Sequence, residues 1–220
     1  GMLVHENTTQ RLNTVEKYLE RAGLDGVEPV HRIDRETSGI VVCAARAELV
    51  SRLRGVFARS DIDKVYRALV VDPEGRWKPG STETIDIPLG LSEEGRLAGL
   101  RMSRGELESR THVRVLGRVD HPSGPMADLE VHIETGRQHQ IRVHLAMQDT
   151  PVAGDKLYTY GDQFFIDISD HPDDPELTGS LPFERQALHA WKVSLEHPER
   201  PDMLHIDSAL PAIWPSAGDR

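Results

Sequence analysis

The chain has little cysteine and no long apolar run: Cys43 is its single thiol. One cysteine cannot form an intramolecular disulfide, so a reduced, cytoplasmic setting is the simplest expectation. No segment approaches the roughly 18 consecutive apolar residues of a membrane-spanning helix, and no basic-then-apolar leader opens the sequence. We therefore expect neither a disulfide scaffold nor a membrane-spanning protein.

Phosphate-binding glycine motifs are also missing. Neither G-x-x-x-x-G-K-[ST] nor G-x-G-x-x-G occurs, so folds that bind nucleotide cofactors have no support. The eleven histidines raise the question of a metal, and His139 and His144 lie five residues apart in one segment. Zinc sites on a helix usually space their histidines four apart with supporting carboxylates, so we predict no metal site.

The composition is that of a globular protein. The chain is 38% hydrophobic and 28% charged, and its 220 residues are enough for one substantial core or two small ones. There is no internal repeat and no sharp linker, so we predict a single domain over residues 1–220.

A polar, charge-dense loop precedes an apolar segment near the start of the chain. Residues 31–39 read His-Arg-Ile-Asp-Arg-Glu-Thr-Ser-Gly and lead into a strand predicted over residues 39–45. Thr37, Ser38 and Gly39 favour a turn there. On these residues alone, a solvated turn in which Asp34 pairs with a neighbouring arginine is an equally good interpretation.

A second charged segment shifts that balance. Residues 134–146 read Glu-Thr-Gly-Arg-Gln-His-Gln-Ile-Arg-Val-His-Leu-Ala, which predicts a strand end, a glycine turn and a helix over about residues 137–147. Together the two segments resemble the RluA family of RNA pseudouridine synthases, whose hallmarks are H-R-L-D-R-x-T-S-G and T-G-R-x-H-Q-I-R-V-H-L. Ile33 replaces the leucine of the first motif, and Gln138 occupies the variable position of the second.

Other segments extend the resemblance over about residues 3–198. Lys64–Val71 resembles the family's K-x-Y-x-A-L-V strand, and residues 186–195 resemble its L-H-A-W strand. Gly154-Asp155 and Tyr160-Gly161 are similar to G-D-x-x-Y-G, with a longer spacing. The family's L-V-V-H matches Leu3-Val4-His5, but the strand and K-P-A-G turn that usually precede it have no counterpart, nor does an appended RNA-binding domain.

The resemblance implies a fold, a reaction and an RNA partner. The fold would be the α+β pseudouridine synthase catalytic fold, with a mixed, largely antiparallel sheet, flanking helices and a central cleft. The reaction would be isomerisation of a uridine to pseudouridine in ribosomal or transfer RNA, an intramolecular transfer. Because this reaction is redox-neutral, no cofactor is expected, and no obligate protein partner is implied.

The resemblance also implies a catalytic set of Asp34, Tyr66 and Arg142. Asp34 corresponds to the nucleophile, since a carboxylate can hold a sugar carbon or a base covalently; attack at C1′ or at the uracil ring remains open. Tyr66 would stack on the base and transfer a proton, although core packing is the usual role of a strand tyrosine. Arg142 would pair with Asp34 and offset its burial, the alternative being a phosphate-binding or surface arginine.

Further residues of the motifs are implied to bind or position the substrate. The target uridine must leave its stack to be modified, and Arg32 corresponds to the residue that fills the vacated place. His31, Thr37 and Gln140 are expected to position the loop or the catalytic residues. The full predicted set is His31, Arg32, Arg35, Thr37, Arg137 and Gln140.

The charge of the chain does not by itself suggest an RNA enzyme. The formal net charge is −10, whereas binding to phosphates rests on Lys and Arg. Acidic residues concentrate in blocks around residues 61–63, 83–94 and 162–176, which leaves room for a basic cleft near the motifs. Two alternatives stay open: an RNA-binding or RNA-folding protein on the same scaffold without turnover, and a glycoside-cleaving enzyme in which Glu36 is the second carboxylate.

Local patterns predict the remaining elements. A helix capped by Thr8 or Thr9 is expected to run to about Ala22. Further along the chain we predict an amphipathic helix over residues 47–59, a short strand over Glu83–Ile87, paired strands over 111–119 and 126–134, a surface segment of low order over 162–182, and a Pro-rich tail.

Overall fold

The computed structural model describes residues 1–5, 13–58 and 62–214. The contacts of the chain divide it into two compact units. The first unit comprises Gly1–Lys64 and Ala190–Ala209, and the second comprises Val65–His189 and Leu210–Arg220. This division leaves the single catalytic domain over residues 1–220 as a prediction.

The described elements belong to the α+β class, as predicted, and the strand pairs within the units are antiparallel. In chain order they are α1 (Val15–Arg21), β1 (Glu28–Pro29), β2 (Ser38–Gly39), β3 (Cys43–Ala44), α2 (Ala47–Ala58), β4 (Asp63–Val71), β5 (Thr82–Asp86), β6 (Leu89–Leu91), β7 (Met102–Arg104), β8 (Arg110–His121), β9 (Gly124–Ile133), α3 (Gln140–Ala146), α4 (Gly161–Asp170), α5 (Pro175–Gly179), β10 (Leu188–Glu196) and β11 (Met203–Asp207).

The first unit is built from short strands, two helices and the β10–β11 pair. Strand β1 pairs with β3, and β10 pairs with β11. The predicted amphipathic helix is confirmed as α2, which buries Val50 and Leu53 in a cluster with Val193 and Leu195. Apolar residues at helical spacing thus give the helix a buried face.

Helix α1 has an observed cap within the described residues. The side chain of Thr14 accepts a hydrogen bond from Lys17 N at 3.2 Å, which satisfies one of the unpaired amides of the first turn. The predicted caps Thr8 and Thr9 lie outside the described residues.

The second unit is organised on four antiparallel strands in the order β4, β9, β8, β5. Its core contains apolar side chains that alternate along these strands, including Ala68, Val70, Leu129 and Val131. The predicted strand Lys64–Val71 and the predicted pair over residues 111–119 and 126–134 are confirmed as β4, β8 and β9. The expected short strand over Glu83–Ile87 is β5.

Two sequence predictions are wrong. Residues 162–182 contain α4 and α5, because Ile168 is buried, Tyr160 stacks on Phe164 at 4.6 Å between ring centroids, and Asp174 caps α5. The predicted strand over residues 39–45 is interrupted, since β2 and β3 are separated and β2 lies against β10. The predicted tail also contains a strand, β11, that sequence analysis missed.

In the part of the chain that the structure describes, every helix is too short or too polar to cross a membrane.

Gly39 is required where β2 meets the start of β10. Its φ is +104°, and a Cβ built on it would lie 2.1 Å from Ala190 O, which is far inside van der Waals contact. Gly124 has a similar φ of +115° with nothing within 4 Å of the added Cβ. The two positions therefore separate backbone strain from steric exclusion.

We predict that Gly39→Ala lowers the free energy of unfolding by about 2–4 kcal/mol, whereas Gly124→Ala lowers it by about 1 kcal/mol. Both variants bear the positive-φ penalty, but only Gly39→Ala must displace the β10 backbone. Urea unfolding monitored by circular dichroism measures the difference. Equal losses in the two variants would show that the contact with Ala190 is unimportant.

Candidate active site

The loop that carries Asp34 is fixed by its own backbone and by β10. Thr37 N donates to Asp34 O at 3.0 Å, which closes a turn, and Thr37 is 7% exposed. Ile40 N donates to Ala190 O at 3.0 Å. The Asp34 side chain is half-buried, while Arg32 and Arg35 on either side are exposed. The loop thus holds Asp34 in place and leaves two cations at the surface.

His31 anchors the start of this loop. Its ring stacks on Phe57, with centroids 4.3 Å apart and planes 8° from parallel, and its Nε2 accepts a hydrogen bond from Val42 N at 2.9 Å. Burial lowers the pKa of His31 to about 4, so the ring is neutral near pH 7. These contacts fit the expected positioning role.

Tyr66 lies in β4, opposite Val131 of β9. It is half-buried and packs against the core cluster of the second unit. Arg67, the next residue of β4, forms a buried ion pair with Asp128. Tyr66 therefore sits on a rigid strand with part of its ring in the core.

Arg142 lies on α3 and is 6% exposed. Its Nε donates to Asp155 Oδ2 at 2.6 Å and its Nη2 donates to Asp155 Oδ1 at 2.9 Å. Asp155 is fully buried, and its Oδ1 also accepts from Leu157 N and Tyr158 N at 3.0 and 3.1 Å. This carboxylate partner was not predicted from the sequence.

Tyr158 completes the surroundings of Arg142. The guanidinium carbon of Arg142 lies 5.1 Å from the centroid of the Tyr158 ring, and that of Arg101 lies 5.5 Å from it. The Tyr158 hydroxyl accepts from Met102 N at 2.9 Å and lies 3.0 Å from His139 Nδ1. Burial raises the pKa of Tyr158 to about 12, so the phenol stays protonated.

Gln140 is 3% exposed and uses both ends of its amide inside the second unit. Its Oε1 accepts from Thr135 Oγ1 and Arg137 N at 2.7 and 3.1 Å. Its Nε2 donates to Arg110 O and Thr111 Oγ1 at 2.9 and 3.1 Å. Gln140 thus ties the start of α3 to β8, as a positioning residue would.

His144 extends this network through hydrogen bonds at both nitrogens of its ring. Its Nε2 lies 2.9 Å from Ile87 O, which can only accept, so Nε2 carries the proton. Its Nδ1 then accepts from Thr111 Oγ1 at 2.8 Å. Burial lowers the pKa of His144, and both ring nitrogens are engaged. No three His, Cys, Asp or Glu side chains within residues 1–5, 13–58 and 62–214 are grouped to hold a metal ion.

The turn before α3 is strained and basic. His139 has a φ of +53°, unusual for a residue with a side chain, and α3 begins directly after it, three residues later than predicted. Arg137 is exposed and its Nε donates to Glu108 O at 3.1 Å. Gln138 Nε2 donates to Leu100 O at 3.0 Å.

Each unit brings a part of the predicted residues together. Within the first unit, His31, Asp34 and Thr37 belong to one anchored loop. Within the second, Arg142 is joined by Asp155 and Tyr158, which sequence reasoning missed. The signal was present, because Tyr158 follows Gly154-Asp155 at the D-x-x-Y spacing that the sequence comparison had extended to Tyr160.

Comparison with known proteins places the chain in a family. The sequence model of the family described as RNA pseudouridylate synthase matches residues 1–147. "Ribosomal large subunit pseudouridine synthase D" of Zymomonas mobilis is 32% identical over 222 residues, covering 96% of this chain and 64% of that protein. An uncharacterized RNA pseudouridine synthase of Chloroflexus aurantiacus is 34% identical over 183 residues, covering 83% of this chain and 50% of that protein.

A solved structure of a pseudouridylate synthase domain has a fold similar to that of this chain. "Human RNA Pseudouridylate Synthase Domain Containing 1" superposes with a TM-score of 0.67 at 25% identity, covering 94% of this chain and 82% of that chain. The chain belongs to the RNA pseudouridylate synthase family and is of the RluA type that its motifs predicted. It spans about half the length of the curated relatives it matches.

The neutral His31 predicts an acid-sensitive contribution to stability. Its pKa is about 4 in the folded protein and 6.5 otherwise, so the unfolded chain binds the proton more tightly. The stabilisation is complete above pH 6.5 and is lost as the pH falls toward 4, by up to about 3 kcal/mol. His31→Gln keeps an acceptor for Val42 N but does not titrate.

We therefore expect wild type to be the more stable protein at pH 7 and its advantage over His31→Gln to shrink as the pH falls to 4. Urea unfolding at a series of pH values measures the two free energies of unfolding. Taking their difference removes the carboxylates common to both proteins. A difference that stays constant with pH would contradict the burial of a neutral ring.

The Gln140 network predicts a structural cost that its exposed neighbour does not share. Gln140→Glu places an acceptor where Nε2 donates to Arg110 O and Thr111, so we expect a loss of about 2–4 kcal/mol in the free energy of unfolding. Gln138→Glu, on the exposed side of the same turn, should cost less than about 1 kcal/mol. Thermal or urea unfolding checks both, and a tolerated Gln140→Glu would contradict the network.

Proposed function

We propose that this protein isomerises a specific uridine in ribosomal or transfer RNA to pseudouridine, with Asp34 as the nucleophile. The observation that carries the proposal is the anchored loop 31–39, which matches the family's first motif and holds Asp34 half-buried. The second motif, with Arg142 on α3, supports it independently. The names of the relatives favour large-subunit ribosomal RNA as the first substrate to test.

Asp34 would cleave the N1–C1′ bond by forming a covalent or ion-paired intermediate. Arg32 and Arg35 flank it along the chain and lie at the surface. The base then turns and bonds to C1′ through C5, any bond between Asp34 and the substrate breaks with its electron pair returning to the carboxylate, and the proton on C5 moves to N1 through a general base. Atoms and electrons balance without an oxidant or a metal.

Each remaining residue has a role that its surroundings support. Tyr66, on a rigid strand with part of its ring in the core, would stack on the base and assist the proton transfer. Arg142 would pair with the nucleophile and orient it. Arg32 is exposed and would fill the space left by the extruded uridine, while Arg35 and Arg137, also exposed, would contact phosphates.

The test uses RNA from a strain lacking this gene, mapped for pseudouridine by carbodiimide primer extension. We expect one site to vanish in the deletion and to return with wild type but not with Asp34→Ala, whose rate should fall on the order of 10⁴-fold. The same purified proteins, given the identified RNA fragment, provide the rate in vitro.

Glu36→Gln is the matched control, because it removes the other carboxylate of the loop. It should restore the site, whereas a glycoside-cleaving mechanism with two carboxylates requires Glu36. A deletion that changes no site, or an Asp34→Ala protein that restores it as well as wild type does, would overturn the synthase proposal in favour of RNA binding without turnover.

A further inference from the structure

Arg142 is held from two directions by residues to which neither motif assigns a role. Asp155 binds it side-on through Nε and Nη2, and the Tyr158 ring lies 5.1 Å from its guanidinium carbon. A bidentate carboxylate fixes the plane of a guanidinium, and an aromatic ring within about 6 Å adds a cation–π contact. The two contacts restrict both the rotation and the tilt of the group.

Asp155 and Tyr158 are themselves fixed. The Oδ1 of Asp155 accepts from the backbone amides of Leu157 and Tyr158, so its carboxylate cannot turn without losing these bonds. The Tyr158 hydroxyl is tied to Met102 N and lies against His139. Each member of this arrangement therefore positions the next, from the backbone outward to the guanidinium.

We propose that Asp155 and Tyr158 are positioning residues that preorient the Arg142 guanidinium for catalysis. The inference rests on the proposed function, in which Arg142 serves the nucleophile. Asp155 and Tyr158 together form a clamp on Arg142, through its Nε and Nη2 and through the face of its guanidinium. Catalysis depends on such preorganised groups, and a misplacement of about 1 Å can cost on the order of 100-fold in rate.

The key variant is Asp155→Asn, which keeps the shape of the side chain but not its charge or its second acceptor. Asp72→Asn is the matched control. Asp72 is also a buried aspartate, 1% exposed, that accepts from an arginine, Arg118, and from two backbone amides, those of Arg76 and Trp77. Both substitutions should lower the melting temperature, but only Asp155 touches Arg142.

We expect Asp155→Asn to lower kcat by about 10- to 100-fold with little change in KM, because the orientation of a catalytic group is lost rather than RNA affinity. Asp72→Asn should keep kcat within about threefold of wild type. Tyr158→Phe retains the ring but loses the hydroxyl contacts with Met102 N and His139, so its kcat should fall less than that of Tyr158→Leu, which should fall as far as that of Asp155→Asn.

A second readout does not depend on turnover. In protein labelled with ¹⁵N-arginine, the Nε–H signal of Arg142, assigned by its absence in Arg142→Lys, should exchange slowly with water in wild type and in Asp72→Asn. It should exchange fast in Asp155→Asn. This reports the clamp itself.

The outcomes separate this inference from the proposed function. If Asp155→Asn and Asp72→Asn have the same kcat, or if Arg142 Nε–H stays protected without Asp155, the positioning role is overturned while the synthase activity stands. If Tyr158→Phe falls as far as Tyr158→Leu, the ring contact is not what acts. If wild type forms no pseudouridine at all, the proposed function is overturned, and with it the catalytic purpose of the clamp.

Discussion

Burying a guanidinium requires a counter-charge with good geometry, and the second unit is built around that requirement. Moving an ion out of water costs several kcal/mol, which only a well-placed partner with further hydrogen bonds offsets. Arg142 and Asp155 meet this condition, since the carboxylate is satisfied by two nitrogens of Arg142 and by two backbone amides. Arg67 and Asp128 form a comparable buried pair, and the buried Asp72 pairs with the partly exposed Arg118. The helix and the turn that carry Arg142 and Asp155 must therefore stay together.

This pairing changes what Arg142 can contribute to the proposed reaction. Asp155 already balances the charge of Arg142, so a second carboxylate would be a second partner of the guanidinium and not its sole counter-charge. In the proposed reaction, the role of such a shared arginine would be to orient the nucleophile.

The elements that the sequence predicted best are those with a continuous period. Helix α2 and strands β4, β8 and β9 each carry enough apolar residues at one spacing for burial to decide their structure. The segment 162–182 failed because its acidic and proline residues outweighed a short apolar face around Ile168. The prediction of a strand over residues 39–45 failed for another reason. Gly39 and Ile40 contact Ala190, which is distant in the sequence, so no local pattern could indicate this pairing.

For the candidate site, the motifs predict functional residues but do not predict the side chains that contact them. The family resemblance gave Arg142 a role toward Asp34, yet no local pattern indicates that Asp155 would bind it. The turn after Asp155 explains why Tyr158 is the relevant tyrosine. Because Asp155 Oδ1 accepts from the second and third amides that follow, as in Asx turns, the position of Tyr158 is fixed by the backbone. Extra residues inserted after Tyr158 leave this turn unchanged, so the longer spacing to Gly161 does not disturb the contact with Arg142.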